Sequence, residues 1–357
     1  MLFVFGGIMD WFHELFGFTE SDSSVRKNIT VDGEWMSSSV NGARFRSGVL
    51  EIPSLKMLRE QTSDIIHQKH SRTTLREVVA NVQDLHRDPQ NRHAIFQVAS
   101  QCNLLEMVGP SVTPEAGVTG YYWDRTQGPA CAIAAGAGTV YRNYFVDLGN
   151  QIGQTMDQQV DTMLDLHAAF GGNLWDMRNG YLLATSVGLR QVTKTVTSAN
   201  RSKLMECVRI GVHKNVQVTL DPVTSVASIP SMPLASSSSS LYSGSEHVVN
   251  QLYCSAMPVA YSGLGSSQWE TLGRLVLDAA YEMTVLSAVE NAEAHGQRTV
   301  FLTLLGGGAF GNPTSWITSA ILRALKIVEF AGLDVVVVSY GHSQPSVQKT
   351  IQEWNVQ

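Results

Sequence analysis

Cysteine is scarce in this sequence and is never spaced for pairing or for metal binding. The four cysteines are far apart and form no Cys-x-x-Cys motif; they are Cys102, Cys131, Cys207 and Cys254. Extracellular disulfide frameworks and structural zinc sites both need cysteines at closer, recurring spacings. The sequence therefore predicts no disulfide framework, no metal site and no cofactor. It suits a reducing, intracellular compartment, which we expect to be the cytoplasm.

Long hydrophobic runs and an excess of positive charge are also missing. No apolar stretch approaches the roughly 20 residues of a membrane-spanning helix. The apolar start, "MLFVFGGIM", has no basic segment before it, so no signal peptide is predicted. A net charge of -6 argues against broad binding to DNA. We expect neither a membrane nor DNA as a partner, and an anionic ligand would have to be held by local backbone amides.

What the sequence does contain is enough apolar residues for a substantial core. Of its 357 residues, 44% are hydrophobic and 16% are charged, as in ordinary globular proteins. We divide the chain into an N-terminal extension of mixed structure (residues 1–90) and one main domain (residues 91–357). The main domain would carry an insertion at 146–220 and a Ser-rich loop at 222–245 that we predict to be disordered. From about residue 250, alternating strands and helices predict an α/β sandwich.

One motif near the C-terminus carries most of the chemical information. "LLGGGAFGNP" (304–313) follows the apolar stretch "TVFLTLL", which is typical of a buried strand. It precedes "TSWITSAILRALKIVEFAG", whose apolar residues have helical spacing. Asn312 is predicted as the N-cap and Pro313 as the first helical residue. Unpaired N–H groups at such a helix start can bind phosphate without a basic side chain.

Two common phosphate loops do not fit this motif. A Walker loop needs Lys followed by Ser or Thr where this sequence has Asn312 and Pro313. "GGGAFG" matches Gly-x-Gly-x-x-Gly, but a dinucleotide-binding unit places that turn after its first strand. Here only one helix and one strand, which ends in Tyr340, are predicted to follow. The alternative is a glycine turn that merely connects packed elements.

In the order of their elements and in local sequence, these C-terminal segments resemble the C-terminal half of macrodomains, the ADP-ribose-binding family. Gly307 to Gly311 fits the family's phosphate loop, which carries an aromatic residue before its last glycine. "FQVASQCN", ending in Asn103, resembles the family's inner strand, and "GPACAIAAGAG" (128–138) its small-residue helix. The family's glycine triplet between them is replaced by a longer segment that contains Glu106, Asp124 and Arg125. The resemblance implies a three-layer α/β/α macrodomain-like sandwich with a mixed sheet.

The resemblance also implies a set of ligand-binding residues around a diphosphate, a terminal ribose and an adenosine. They are Asn103, Thr126, Gln127, Gly128, Gly306, Gly307, Gly308, Ala309, Phe310, Gly311, Asn312 and Tyr340. For Asn103 the alternative is a loop-capping role, and for Phe310 and Tyr340 it is simple packing.

Two acids are candidates for catalysis. Hydrolysis of an ADP-ribosyl bond needs a carboxylate near the anomeric carbon. Asp124 is the first candidate, because it directly precedes the predicted helix start, and Glu106 is the second. For both, the alternative is an exposed acid in a loop.

The sequence thus predicts an ADP-ribosyl hydrolase that binds ADP-ribose and removes it from a modified protein. The chain looks most similar to a divergent branch of large macrodomain proteins that includes bacterial effectors. These act on ADP-ribosylated arginine of ubiquitin, so an arginine linkage and ubiquitin are the implied substrate. Two alternatives stay open, a non-catalytic module that reads ADP-ribose and a hydrolase of a small nucleotide derivative.

Overall fold

The computed structural model describes residues 10–68, 70–220 and 247–356. The Ser-rich tract at 222–245 lies outside these residues. Within them, the helices are α1 Trp11–Phe16, α2 Asp22–Asn28, α3 Leu55–Thr62, α4 Val82–Arg87, α5 Gln127–Ala134, α6 Gly136–Tyr144, α7 Leu164–Ala169, α8 Ser186–Thr195, α9 Arg201–Met205, α10 Ser266–His295, α11 Thr314–Ile327 and α12 Pro345–Val356. The strands are β1 Ile29–Asp32, β2 Trp35–Ser38, β3 Arg44–Arg46, β4 Val49–Glu51, β5 Thr74–Val79, β6 Ile95–Ala99, β7 Trp175–Arg178, β8 Tyr181–Ala184, β9 Gly211–Gln217, β10 Val248–Cys254, β11 Thr299–Leu302 and β12 Asp334–Ser339. Short 3₁₀ helices lie at Pro89–Asn91, Pro114–Ala116, Thr119–Trp123 and Val259–Tyr261.

Seven strands form one mixed sheet in the order β4, β9, β10, β6, β11, β12, β5. The strands from β10 to β5 run parallel to one another. Strand β9 is antiparallel to both of its neighbours, β10 and β4. The central strands are buried along their length rather than at alternate residues, as in "VVNQLYC" of β10, because helices cover both faces of the sheet.

The two faces of the sheet are covered by different helices, and β6 shows this in its alternating side chains. Ile95 belongs to a core shared with α10, which contributes Leu275 among others. Phe96, one residue later, belongs to a second core with Val82 of α4 and Cys131 of α5. The predicted three-layer α/β/α sandwich with a mixed sheet is confirmed.

The predicted N-terminal extension is not structurally separate from the main domain. Strands β4 and β5 are the two edge strands of the seven-stranded sheet, and both precede residue 90. Strand β5 pairs with β12 from Thr74 opposite Asp334 to Val79 opposite Ser339. Helices α1 and α2 and the small sheet β1–β3 pack around a third core that includes Phe12. Pairing between strands about 260 residues apart leaves no local signal in the sequence.

Two element boundaries also differ from the sequence-based expectation. The strand predicted to end at Asn103 ends at Ala99, and residues 100–107 form a loop. The chain also continues beyond β12 into α12, which was not predicted. This helix is amphipathic but short, and its buried side chains Val347 and Trp354 hold it against the fold. Among the described residues, no helix is long and apolar enough to cross a membrane.

The position of β5 in the main sheet gives a stability test. Leu75 on β5 is 3% exposed, so Leu75→Ala should lower the free energy of unfolding of the whole chain by about 2–5 kcal/mol. Val79 at the end of the same strand is 46% exposed, and Val79→Ala should change it by less than about 0.5 kcal/mol. Chemical denaturation followed by tryptophan fluorescence and circular dichroism measures both. A Leu75→Ala variant whose main transition is unmoved would mean that residues 1–90 unfold separately.

Candidate active site

A cleft opens at the carboxyl ends of the central parallel strands, where open α/β sheets bind their ligands. Residues just beyond β6 and β11 form its floor, including Ser100, Gln101 and Thr303. The glycine loop forms one wall and the start of α5 forms the other. Its enclosed volume is about 170 Å³. Pockets that enclose a whole small-molecule ligand hold roughly 300–1,000 Å³, so this volume would enclose only part of a nucleotide.

The conformation of the glycine loop requires glycine at specific positions. Gly306 has a φ of +72° and Gly311 a φ of +71°, a region that other residues rarely adopt. A Cβ atom at Gly306 would also lie 2.4 Å from the Cβ atom of Ala256. Gly308 differs, because a Cβ atom there would meet nothing within 4 Å, and the residue lines the cleft. Gly306 and Gly311 thus shape the loop, whereas Gly308 presents its backbone to the cleft.

Asn312 closes the loop rather than capping the helix behind it. Its backbone N–H donates to the Gly306 carbonyl at 2.9 Å, and its Nδ2 donates to the Met257 carbonyl at 2.8 Å. Helix α11 begins at Thr314 with Pro313 as its N-cap. The predicted N-cap role of Asn312 and helical position of Pro313 were therefore wrong by one residue. The buried Met257 carbonyl needs a donor, and the Asn312 amide supplies it.

Three consecutive N–H groups of the loop stay available. Among the described residues, those of Gly308, Ala309 and Phe310 donate no hydrogen bond. By contrast, Gly307 donates to the Leu304 carbonyl at 2.9 Å and Gly311 to the Gly308 carbonyl at 3.0 Å. Unpaired successive N–H groups in a tight loop form a concave site for an anion. Of the predicted phosphate-binding residues, these three therefore have the strongest claim.

The opposite wall is built where α5 is held against the end of β6. The Gln127 side chain accepts from the Ala99 N–H at 2.9 Å and donates to the Gln97 carbonyl at 2.8 Å. A Cβ atom at Gly128 would lie 2.0 Å from the Ala99 carbonyl oxygen, so only glycine permits this approach. Both residues line the cleft, as does Thr126. The Gln127 side chain and the absence of a side chain at Gly128 hold α5 against the end of β6. A ligand in the cleft would therefore contact the backbone of these two residues.

Both predicted acids line the cleft, but they differ in environment. Asp124 is half-buried, and its Oδ1 accepts from the N–H of Thr126 at 2.9 Å and from its hydroxyl at 2.7 Å. Glu106 is only 1% exposed, and neither of its carboxylate oxygens accepts a hydrogen bond among the described residues. The expectation of two exposed loop acids, raised as an alternative, does not describe Glu106.

An arginine lies behind Glu106. The Nη2 of Arg142 is 3.5 Å from Oε2 of Glu106, and Arg142 itself is completely buried. The guanidinium lies 3.6 Å from the ring centre of Tyr253, and its Nε donates to the Leu104 carbonyl at 3.0 Å. Burial raises the pKa of Glu106 to about 7, and the positive charge of Arg142 opposes this rise. Glu106 can therefore exchange a proton near neutral pH, as a general acid or base requires.

The structure does not bring five of the predicted ligand residues to the cleft lining; they are Asn103, Gly307, Gly311, Asn312 and Tyr340. Asn103 is completely buried; its Nδ2 donates to Oε1 of Gln159 at 2.8 Å, and its Oδ1 accepts from the Leu105 N–H at 3.1 Å. Because β6 ends at Ala99, Asn103 lies within the following loop and caps it. Tyr340 is 78% exposed and lies just beyond β12.

Sequence reasoning missed an aromatic cluster at the cleft. The ring centres of Tyr181 and Tyr261 lie 5.5 Å and 5.6 Å from that of Phe310. Tyr181 comes from the β7–β8 hairpin, inside the predicted insertion, and its hydroxyl donates to the Met107 carbonyl at 2.8 Å. Both tyrosines line the cleft. Their separation from Phe310 along the chain means that only the folded structure reveals this contact. Within the described residues, no group of three or more metal-ligating side chains comes together.

No protein-family model and no curated protein matches the chain. Solved structures of similar architecture include poly(ADP-ribose) glycohydrolase from Deinococcus radiodurans in complex with ADP-ribose. It is 10% identical, with a TM-score of 0.44 over 86% of this chain and 94% of that one. The glycohydrolase from Thermomonospora curvata is 12% identical, with a TM-score of 0.43 over 93% of this chain and 95% of that one. Similarity at this level does not define an activity, so the proposal below rests on the cleft itself.

Because Glu106 is buried, we expect the difference in stability between Glu106→Gln and wild type to depend on pH. Its pKa is raised on folding, so its contribution to stability is fully present below its unfolded value and is lost as pH rises through about 7. The free energy of unfolding of Glu106→Gln, relative to wild type, should therefore increase between pH 5 and pH 8, by at most about 1.4 kcal/mol per pH unit.

Urea denaturation across this pH range measures the difference. Glu270→Gln is the control, because Glu270 is a surface acid whose ion pair with Arg274 contributes little to stability. A profile for Glu106→Gln that matches the control would show that Glu106 ionises in the folded protein as freely as in the unfolded chain.

Proposed function

We propose that this protein is an ADP-ribosyl hydrolase, which binds ADP-ribose in the cleft and removes it from a modified protein. One observation carries the proposal. The unpaired N–H groups of Gly308, Ala309 and Phe310 lie on one wall of a cleft whose lining also contains two acids, Asp124 and Glu106. A receptor for an anion and a pair of carboxyl groups thus share one cavity.

The binding half of the proposal follows from the absence of basic side chains. No lysine or arginine is part of the described lining of the cleft. A diphosphate there would be bound by backbone N–H groups, which hold negative charge without a counter-cation. We place the diphosphate and terminal ribose in the cleft, with the aromatic cluster of Tyr181, Tyr261 and Phe310 beside them. The adenosine would extend outwards, and a contact with Tyr340 stays a prediction.

The catalytic half follows from the different states of the two acids. Cleavage develops positive charge on the anomeric carbon, which a carboxylate can stabilise while it orients the attacking water. We assign this role to Asp124, whose Oδ1 is fixed by Thr126. We assign the proton exchange to Glu106, whose raised pKa lets it carry a proton at neutral pH. Water forms a bond to the anomeric carbon as the bond to the leaving group breaks; protonated Glu106 donates its proton to the leaving group, and the carboxylate of Asp124 accepts the proton that the attacking water loses.

The finer identity of the substrate is part of the proposal. An arginine-linked adduct, with ubiquitin as a candidate acceptor, rests on the resemblance in sequence alone. An intracellular, reducing location likewise stays a prediction.

The glycine loop provides the test of binding. Gly308→Val should abolish measurable binding of ADP-ribose, because its side chain would project into the cleft where the diphosphate approaches the backbone. The fold should be retained, since no protein atom lies within 4 Å of the added Cβ. Gly265→Val is the matched control, because a Cβ atom at Gly265 would meet only the Ser267 hydroxyl, at 3.9 Å, and Gly265 does not line the cleft. Titration calorimetry measures both, and equal affinity of Gly308→Val and wild type would make the loop purely structural.

The two acids provide the test of catalysis. Asp124→Asn and Glu106→Gln should each lower the release of free ADP-ribose from arginine-modified protein by about 10²- to 10⁴-fold, as expected for loss of a general acid or base. ADP-ribose affinity should persist in both. Asp176→Asn, an exposed acid outside the cleft, is the control. If wild type binds ADP-ribose but releases none from arginine, serine or acidic linkages, the protein is a non-catalytic reader.

A further inference from the structure

We infer that Glu20, in the N-terminal segment, is a positioning residue for the loop that carries the proposed catalytic acids. The inference rests on the proposed function and deepens it, because it gives the α1–α2 segment a role in the reaction. Nothing in the sequence connected residue 20 to the cleft. The connection is a set of hydrogen bonds to the loop between Glu106 and α5.

The carboxylate of Glu20 binds two successive backbone N–H groups of that loop. Val118 donates to its Oε1 at 2.8 Å and to its Oε2 at 3.0 Å, and Thr119 donates to Oε2 at 2.7 Å. The Tyr144 hydroxyl donates to Oε1 at 2.9 Å. Hydrogen bonds from N–H groups to an ionised carboxylate are about twice as strong as neutral ones. Glu20 therefore holds the loop by its backbone, whatever the loop's side chains do.

The loop is built to receive this carboxylate. Val118 and Thr119 begin the 3₁₀ helix Thr119–Trp123, which has no side-chain cap of its own, so its first N–H groups need an acceptor from elsewhere. Gly117, just before them, has a φ of +77°, and a Cβ atom there would lie 2.6 Å from the Glu20 carboxyl group. Glycine at this position both permits the turn and leaves room for Glu20.

The 3₁₀ helix passes this restraint to both acids. It ends at Trp123, and the next residue, Asp124, donates its backbone N–H to the Tyr121 carbonyl at 3.1 Å. The Tyr121 hydroxyl in turn accepts from the backbone N–H of Glu106 at 3.0 Å. The helix is thus hydrogen-bonded through Tyr121 to the backbone of both acids, and through Thr119 to the carboxylate of Glu20.

A second contact from the same segment supports this role. The indole Nε1 of Trp11 donates to the Thr119 carbonyl at 3.2 Å. Trp11 and Phe12 share a core with Leu105 and Met107, the two neighbours of Glu106. The glycine loop takes no part in these contacts, since the described hydrogen bonds of Glu20 go to residues 118, 119 and 144. Loss of Glu20 should therefore affect turnover without affecting binding of the diphosphate.

The experiment compares Glu20→Ala, Glu20→Gln and Asp22→Asn in the full chain. Asp22 is a matched control, because it is a nearby acid whose ion pair is to the exposed Arg26. In Glu20→Ala we expect kcat for ADP-ribose release to fall by about 10- to 100-fold, as a misplaced catalytic group would cause. ADP-ribose affinity should stay at the wild-type level. Glu20→Gln keeps one acceptor oxygen and should recover part of kcat, and Asp22→Asn should equal wild type.

Amide hydrogen exchange makes the test independent of activity. In Glu20→Ala, exchange at Val118 and Thr119 should become faster than in Asp22→Asn, because these N–H groups lose their acceptor. Unchanged exchange there would overturn the inference. So would wild-type kcat in Glu20→Ala, or equal losses of kcat and affinity, which indicate a general loss of structure. If wild type itself releases no ADP-ribose while exchange in Glu20→Ala is faster, the proposed function fails and the restraint on the loop stands.

Discussion

The site depends on the close contact between the start of α5 and the end of β6. Gly128 brings the helix to a distance from the Ala99 carbonyl that no other residue would allow, and Gln127 pairs with the backbone of the strand. This contact fixes where the chain must cross from the sheet to the helix. Asp124 lies directly before the crossing, and it therefore faces the glycine loop at the end of β11. The two halves of the cleft are placed by packing of the backbone.

A buried charge is the second constraint, and it ties stability to chemistry. Glu106 and Arg142 are both almost fully buried, and their shortest distance of 3.5 Å leaves the carboxylate without a hydrogen bond. Such a pair contributes little net stability, because desolvation of two charges offsets their attraction. The same burial raises the pKa of Glu106 to about 7. Ionised Glu106 therefore lowers the stability of the fold at high pH, and the same side chain can exchange a proton at the cleft. Local instability at functional sites commonly has this origin.

The parts of the structure that were predictable from sequence are those with a local cause. The strand, glycine loop and helix from residue 299 to 327 were predicted correctly in order, because hydrophobic periodicity and glycine act over a few residues. Asn103 was assigned a ligand role from its expected place at a strand end, but β6 stops four residues earlier and Asn103 lies buried in the following loop. The contact of Tyr181 with Phe310 and the place of β4 and β5 at the edges of the main sheet were missed, since each depends on a partner more than 100 residues away.

The two sides of the cleft are held in place by different parts of the fold. Its floor and one wall belong to the central sheet and its glycine loop, which are held by the largest core. The loop carrying the two acids is held instead by the smaller N-terminal core and by Glu20, and Tyr181 reaches the cleft on a two-stranded hairpin. Small units of this kind open with less free energy than a large core. In the function proposed above, binding and catalysis would therefore depend on parts of the fold that are held by different cores.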